Sequence, residues 1–222
     1  MILGIDTSLG TSAAVVERDG VVRAEASSPD PLGHAEVIGL LLEAVLTEAA
    51  FGPIGATSAA TEVELTHVAA GMGPGPFTGL RVGIAAARAF ALGRDIPVVA
   101  VPSHAAAALS VLLADPFARV PRFAVVTDAR RREFAYSVYD GLDDDGLPRC
   151  VAGPALAPRD AVDERLRELG AERRDVATVS AAMIALAAAR AVAAGRELAD
   201  ASPLYLRAPD VTMPSGPKRV GT

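Results

Sequence analysis

Tryptophan is absent from this 222-residue chain, cysteine and lysine occur once each, as Cys150 and Lys218, and aromatic residues make up only 4%. A single cysteine excludes an intramolecular disulfide. With one lysine among 21 basic residues, positive charge is carried almost wholly by arginine, and together with abundant Ala, Gly and Pro this reads as a codon bias rather than a function. A basic excess is also missing: 27 acids against 21 bases leave a net charge of −6, which argues against strong direct binding to a phosphate backbone. The first residues, MILGIDTS, have neither the basic start nor the long apolar run of a secretion signal, so a cytoplasmic protein is expected. The most membrane-like stretch, residues 176–195, is mostly alanine with Ser180 and Arg190 inside it, and reads as a packed soluble helix.

What is present is enough for a core. The chain is 51% hydrophobic and 22% charged, with a mean hydropathy of +0.33, which excludes a disordered polymer. The length fits one large domain or two of about 100 residues each. Residues 2–6, 12–17 and 21–26 read as three antiparallel strands, the last two joined by an Asp19-Gly20 hairpin turn. The period then changes to 3.6 over residues 35–50, with Ile38, Leu41, Leu42, Val45 and Leu46 in one stripe widened by Val37 and Leu40. That arc is wider than one sheet face needs. A buried strand at 66–70 leads into the loop GMGPGPFTGLRVG, residues 71–83, with Thr78 as the expected N-cap of a helix over 79–92. A strand at 96–101 and a helix from Ser103 follow. Composition resets around Asp115-Pro116 and Pro121, and strands at 123–127 and 134–139 open a second half with helices near 161–169 and 181–194 and an extended PLYLRAPD segment. The expected division is 1–102, 103–210 and a flexible tail, 211–222.

Several groups of residues admit a chemical and a structural reading. Asp6, Thr7 and Ser8 end the first strand, where a carboxylate and hydroxyls either orient a metal-bound phosphate or cap a turn. Asp128 and Arg130 hold the matching place in the second half. The loop with Gly73, Gly75 and Thr78 precedes a helix start, which offers free N–H groups and a positive dipole end to an anion, yet no lysine follows Gly79 as a Walker loop requires. Gly79, Gly83, Ala87 and Ala91 recur every fourth residue and leave one helix face almost bare, suited to close packing inside the chain or against another. His34, His67 and His104 form no i, i+4 pair for a metal. The acidic run 143–145 lacks calcium-loop spacing, and Cys150 has no local histidine to activate it.

ILGIDTS, GPGPFTGLRVG, IPVVAVPS, VTDARRREFAY and PLYLRAP, in that order from Ile2 to Pro209, resemble the bacterial TsaB (YeaZ) family of tRNA threonylcarbamoyladenosine biosynthesis. The resemblance implies an α/β, actin-like and sugar-kinase-like fold of the ribonuclease H-like class, with a reduced second domain. It implies a non-catalytic subunit that pairs with TsaD, supports docking of TsaE, and reaches tRNA only through that complex, with no membrane association. It implies no cofactor of its own, ATP and a metal being used elsewhere in the complex. In TsaD a His-x-x-x-His metal pair follows the strand corresponding to residues 96–101; here Ser103 and Ala107 fall at those positions and His104 is one off. Pro76 stands where the family has serine, which removes a donor from the central loop. By resemblance, the first two long helices pair with TsaD or with a second copy, giving His34, Ile38, Leu41, Leu42, Val45, Gly79, Arg81, Gly83 and Ala87 as expected interface residues. The alternative reading is an ATP-binding or phosphotransfer enzyme of the same superfold, built on Asp6, Thr7, the loop at Gly73, Gly75 and Thr78, and Asp128.

Overall fold

The computed structural model describes residues 1–30, 33–51, 63–115, 119–129 and 131–207. Arg130 and the expected tail lie outside them. The chain opens with β1 (Ile2–Asp6), β2 (Thr11–Val16) and β3 (Val22–Ser28), an antiparallel meander. Then follow α1 (His34–Phe51), β4 (His67–Gly71), α2 (Phe77–Arg94), β5 (Val98–Val101) and α3 (Ser103–Leu113). Both β4 and β5 add in parallel, so the first sheet has the order β3-β2-β1-β4-β5, with β1 at its centre. Every residue of β1 and β2 is buried, which suits a strand pair covered on both faces.

The second sheet, in the order β8-β7-β6-β9, is built from β6 (Phe123–Asp128), β7 (Glu133–Leu142), β8 (Pro148–Pro158) and β9 (Glu172–Asp175). The pattern had indicated β6 and β7 but not the outer two. Gly153, Pro154 and Pro158 interrupt the run that becomes β8, and Glu-Arg-Arg-Asp of β9 carries no apolar alternation. Both are edge strands, where proline and charge are tolerated because one side lacks a ladder partner. Two helices complete the fold, α4 (Val162–Glu168) and α5 (Ala181–Ala193).

The layers explain the composition. On one face of the first sheet, α1 and α2, the latter through Leu80 and Ile84, cover Leu3, Ile5, Val15 and Val68. On the other, α5 lays its alanines over Ile2, Ala14, Val16 and Ala69, joined by Ala106 and Leu109 of α3. The opposite side of α3, Ala107 and Ala108, meets Phe123, Val125 and Tyr139 of the second sheet. α4 covers that sheet's far face through Val162 and Leu166. The expected division at residue 102 does not separate the cores, because α3 and α5 both cover the first sheet. Alanine suits these layers because its short side chain permits close approach. The start of α5 is fixed by Ser180, which accepts a hydrogen bond from Met183 N and donates to Glu25 of β3 at 2.7 Å.

α2 begins earlier than expected. Its N-cap is Pro76, with φ −59° and ψ 136°, and Leu80 N donates to Pro76 O at 3.0 Å. Thr78 therefore lies inside the first turn, exposed, and caps nothing. Proline serves here because its fixed φ leads the extended loop into the helix and its carbonyl takes the first intrahelical bond. Among the described residues, no helix is long and apolar enough to cross a membrane.

Candidate functional site

The parallel centre of the first sheet brings together the ends of β1 and β4, the central loop and the start of α3. Asp6, Thr7 and Ser8 are buried there at 2%, 1% and 1% exposure. One carboxylate oxygen of Asp6 accepts from Ser8 N at 2.8 Å and Ser8 Oγ at 2.6 Å, and the other accepts from Ser103 Oγ at 2.5 Å. Ser103 Oγ also accepts from Gly73 N at 3.0 Å, and Ser103 N donates to Gly73 O at 2.8 Å. Burial pushes the Asp6 carboxyl above its ordinary range, while the bonds from Ser103 and Ser8 oppose that rise. Thr7 Oγ1 donates to Gly79 O at 2.8 Å. Gly75 packs against Ser8. Asp6 thus caps its own turn and ties the central loop to α3; both of its oxygens are engaged by neighbours within the chain.

Asp128, at the end of β6, is exposed and ion-paired with Arg159. The positions aligned with the TsaD metal pair do not fit a metal: Ser103 is bonded to Asp6, and Ala107 is buried at 3% exposure with no donor atom. No group of three His, Cys, Asp or Glu residues able to hold a metal occurs among the described residues.

His104, one position on, has a structural task that local pattern did not disclose. It is 1% exposed, with Nδ1 2.9 Å from Ser137 Oγ and Nε2 3.0 Å from Thr127 Oγ1, so it links α3 to β6 and β7. Burial holds its pKa down to about 3, against an ordinary 6.5. The unfolded chain therefore takes up this proton before the folded one. Stability that depends on neutral His104 is complete above pH 6.5 and is lost as pH falls from there towards 3. By pH 5 the expected loss is about 2 kcal/mol, read as a lower denaturant midpoint, and His104→Gln, less stable at neutral pH, should lose that part of the slope.

The expected interface residues divide. His34 is buried, its Nδ1 2.9 Å from Thr11 Oγ1, and Ile38, Val45, Gly79, Gly83 and Ala87 are buried against the chain's own first sheet and its loops. A Cβ built on Gly79 would meet Thr7 O at 2.7 Å and His34 Nε2 at 2.8 Å, and one on Gly83 would meet Thr7 Oγ1 at 2.2 Å. The bare face is sealed within the molecule, so these six residues are corrected from interface to core. Leu41 and Leu42 are half-buried, and Arg81 is exposed but engaged, its guanidinium 3.6 Å over the Phe77 ring and its Nε donating to Tyr205 Oη at 3.2 Å. What α1 and α2 leave open is the opposite side. Leu40 and Phe51 of α1 are 66% and 54% exposed, and Leu92 of α2 is 84% exposed on a strip shared with Thr78, Ala85 and Ala89.

A cleft of about 730 Å³ lies between α3, the β7–β8 hairpin and the segment after α5, with Pro102, His104, Tyr139, Leu147 and Leu198 among its walls. Cys150 stands exposed on its lining, and its thiol pKa is raised by partial burial, which does not favour a reactive thiolate.

Residues 15–197 match the family described as TsaD, tRNA N6-adenosine threonylcarbamoyltransferase. A protein of Mycobacterium tuberculosis described as uncharacterized is 38% identical over 164 residues, covering 70% of this chain and 70% of its own length. The tRNA threonylcarbamoyladenosine biosynthesis protein TsaB of Escherichia coli is 29% identical over 177 residues, covering 80% and 71% respectively. Among solved structures, YeaZ from Pseudomonas aeruginosa superposes with a TM-score of 0.70 at 24% identity, over 92% of this chain and 99% of that one. The chain belongs to this family. Its fold is the α/β fold of YeaZ, as the resemblance led us to expect, and its family is one of tRNA threonylcarbamoyladenosine biosynthesis.

Proposed function

We propose that this chain is a TsaB-type, non-catalytic subunit that docks on TsaD through the open side of α1 and α2, supports TsaE, and enables TsaD to transfer threonylcarbamoyl to the adenosine beside the anticodon of tRNA. The observation that carries the reading is the uncovered apolar strip formed by Leu40, Ala44 and Phe51 on α1 and Ala85, Ala89 and Leu92 on α2. Large apolar side chains left open on two neighbouring helices mark a surface suited to a partner. A standard interface of roughly 800 Å² per partner, at about 25 cal/mol per Å² of apolar surface, outweighs the cost of association when the fit is good. The burial of Asp6 and its bonds to Ser8 and Ser103 support placing the chemistry in the partner.

The same face supports self-pairing when TsaD is absent. Exposed Glu36 and Glu43 flank the α1 strip, and exposed Arg81 and Arg88 flank the α2 strip. Each pair is seven residues apart, about 10.5 Å along its helix. A two-fold pairing can set α1 of one copy against α2 of the other with opposite charges facing.

The test is reconstitution. The purified chain is mixed with TsaD, followed by size-exclusion chromatography and by transfer of labelled threonylcarbamoyl to tRNA. A stoichiometric complex, with transfer only when both proteins are present, is expected. Transfer by this chain alone, or no complex at all, would overturn the reading.

A further inference from the structure

The segment after α5, residues 196–207, forms neither helix nor strand, yet it touches four separate parts of the molecule. At its start, Arg196 pairs with Asp143 at 2.7 Å and Asp145 at 2.6 Å in the β7–β8 turn. Farther on, Arg88 of α2 donates to Ala201 O, and Leu204 N donates to Met72 O at 2.8 Å. The Tyr205 ring then stacks on Phe77 with centroids 4.7 Å apart and takes the hydrogen bond from Arg81. At the end of the described segment, Arg207 pairs with Glu133 at the start of β7.

The α2 contacts share one edge of the helix. Phe77, Arg81 and Arg88 are spaced by four and seven residues, so they lie in one row. That row borders the open strip of Thr78, Ala85, Ala89 and Leu92. The strap therefore runs along the rim of the docking face and hydrogen-bonds both guanidiniums that flank it, Arg81 at Tyr205 Oη and Arg88 at Ala201 O. Its own residues are half-buried or exposed throughout, the mark of a segment that opens at low free-energy cost without unfolding the sheets.

We propose that residues 196–207 are a latch: seated on Phe77, Arg81 and Arg88, the strap preorganises the charged rim of the α1–α2 face for its partner, and released, it leaves that face poorly able to dock. The latch rests on the docking reading above. A partner surface with carboxylates beside an apolar ridge meets guanidiniums already fixed in place, so their ordering is not charged against binding. Tyr205 is the pin, because its ring and its hydroxyl hold both members of the Phe77–Arg81 stack.

The experiment uses the full chain as wild type, Tyr205→Phe and Tyr205→Ala. Amide hydrogen exchange reports whether residues 198–207 are seated, and calorimetric titration with TsaD reports docking. Tyr205→Ala is expected to exchange faster across the strap and to bind TsaD about tenfold more weakly, with Tyr205→Phe between it and wild type. A strap that is released in Tyr205→Ala while TsaD binds as tightly as before overturns the latch and leaves the docking reading intact. So does a strap that exchanges no faster without the ring. Wild-type protein that fails to bind TsaD overturns the docking reading and the latch with it.

Discussion

Replacing Leu40 and Leu92 together by glutamate is expected to weaken binding to TsaD at least a hundredfold while leaving the melting temperature of the chain, measured at a dilution where it does not self-pair, nearly unchanged. The two halves of that expectation have one cause. At 66% and 84% exposure these side chains contribute little to the chain's own core, and surface substitutions of this kind alter stability by about 0.5 kcal/mol or less. Covered by a partner, each carboxylate would lose its water without gaining a designed cation. A hundredfold change corresponds to about 2.7 kcal/mol, which is modest for two charges placed in the centre of an apolar contact. Calorimetric titration and a thermal melt on the same sample make the measurement. Unchanged affinity would show that the partner sits elsewhere. A drop of more than a few degrees at that dilution would show that the strip is covered within the single chain.

The reverse pattern is expected for Gly71→Ala: a large loss of stability from a single methyl group. A Cβ at Gly71 would stand 1.9 Å from Asp6 Oδ2 and 2.8 Å from Asp6 Cγ, with Ser103 Oγ at 3.0 Å. The carboxylate has nowhere to retreat without giving up its bonds to Ser8 and Ser103 in a site closed to water. Breaking a buried hydrogen-bond network of this kind costs about 3 kcal/mol, or roughly 10 °C in melting temperature for a chain of this size. Gly93→Ala is the matched control, because nothing lies within 4 Å of its built Cβ; it should be neutral or slightly stabilising. Equal melting temperatures for Gly71→Ala and wild type would mean that Asp6 is not held as described. The same geometry governs Gly83. A bulky residue there collides with Thr7, so failure of Gly83→Leu to co-purify with TsaD would report misfolding rather than a lost contact.

The distinction between those two surfaces of α2 was only half visible in the chain. The fourfold spacing of Gly79, Gly83, Ala87 and Ala91 announced a face made for close approach, but periodicity does not say what approaches. The answer depends on Thr7 and His34, more than forty residues away in sequence, whose positions are set by the ends of β1 and the start of α1. The meander, the strand–helix–strand–helix run from β4 to α3, and the alanine helix were legible because each carries its own period or turn chemistry; that β4 and β5 add in parallel came only with the fold. β8 and β9 were not, since an edge strand is defined by a neighbour's unpaired backbone rather than by its own side chains. Asp6 could be located as a strand-end carboxylate, and its capping role was one of the two readings the residues allowed. The second partner, Ser103, became visible only with the fold. Tyr205 and His104 gave no local sign at all: one is bonded across 124 positions, and the other by hydroxyls from two strands of the opposite sheet.

The placement of α5 carries a consequence for how the molecule is made. β1 leaves the ribosome long before the helix that covers one of its faces, which begins at Ala181, so about 175 residues of synthesis separate the strand from its lid. At typical elongation rates of about 5–20 residues per second, that face of the first sheet waits roughly 10 to 35 s for its cover. During that interval Ile2, Ala14, Val16 and Ala69 form a greasy surface open to passing chains. A nascent polypeptide stalled before α5 is therefore the species that trigger-factor-type holdases should recognise most strongly.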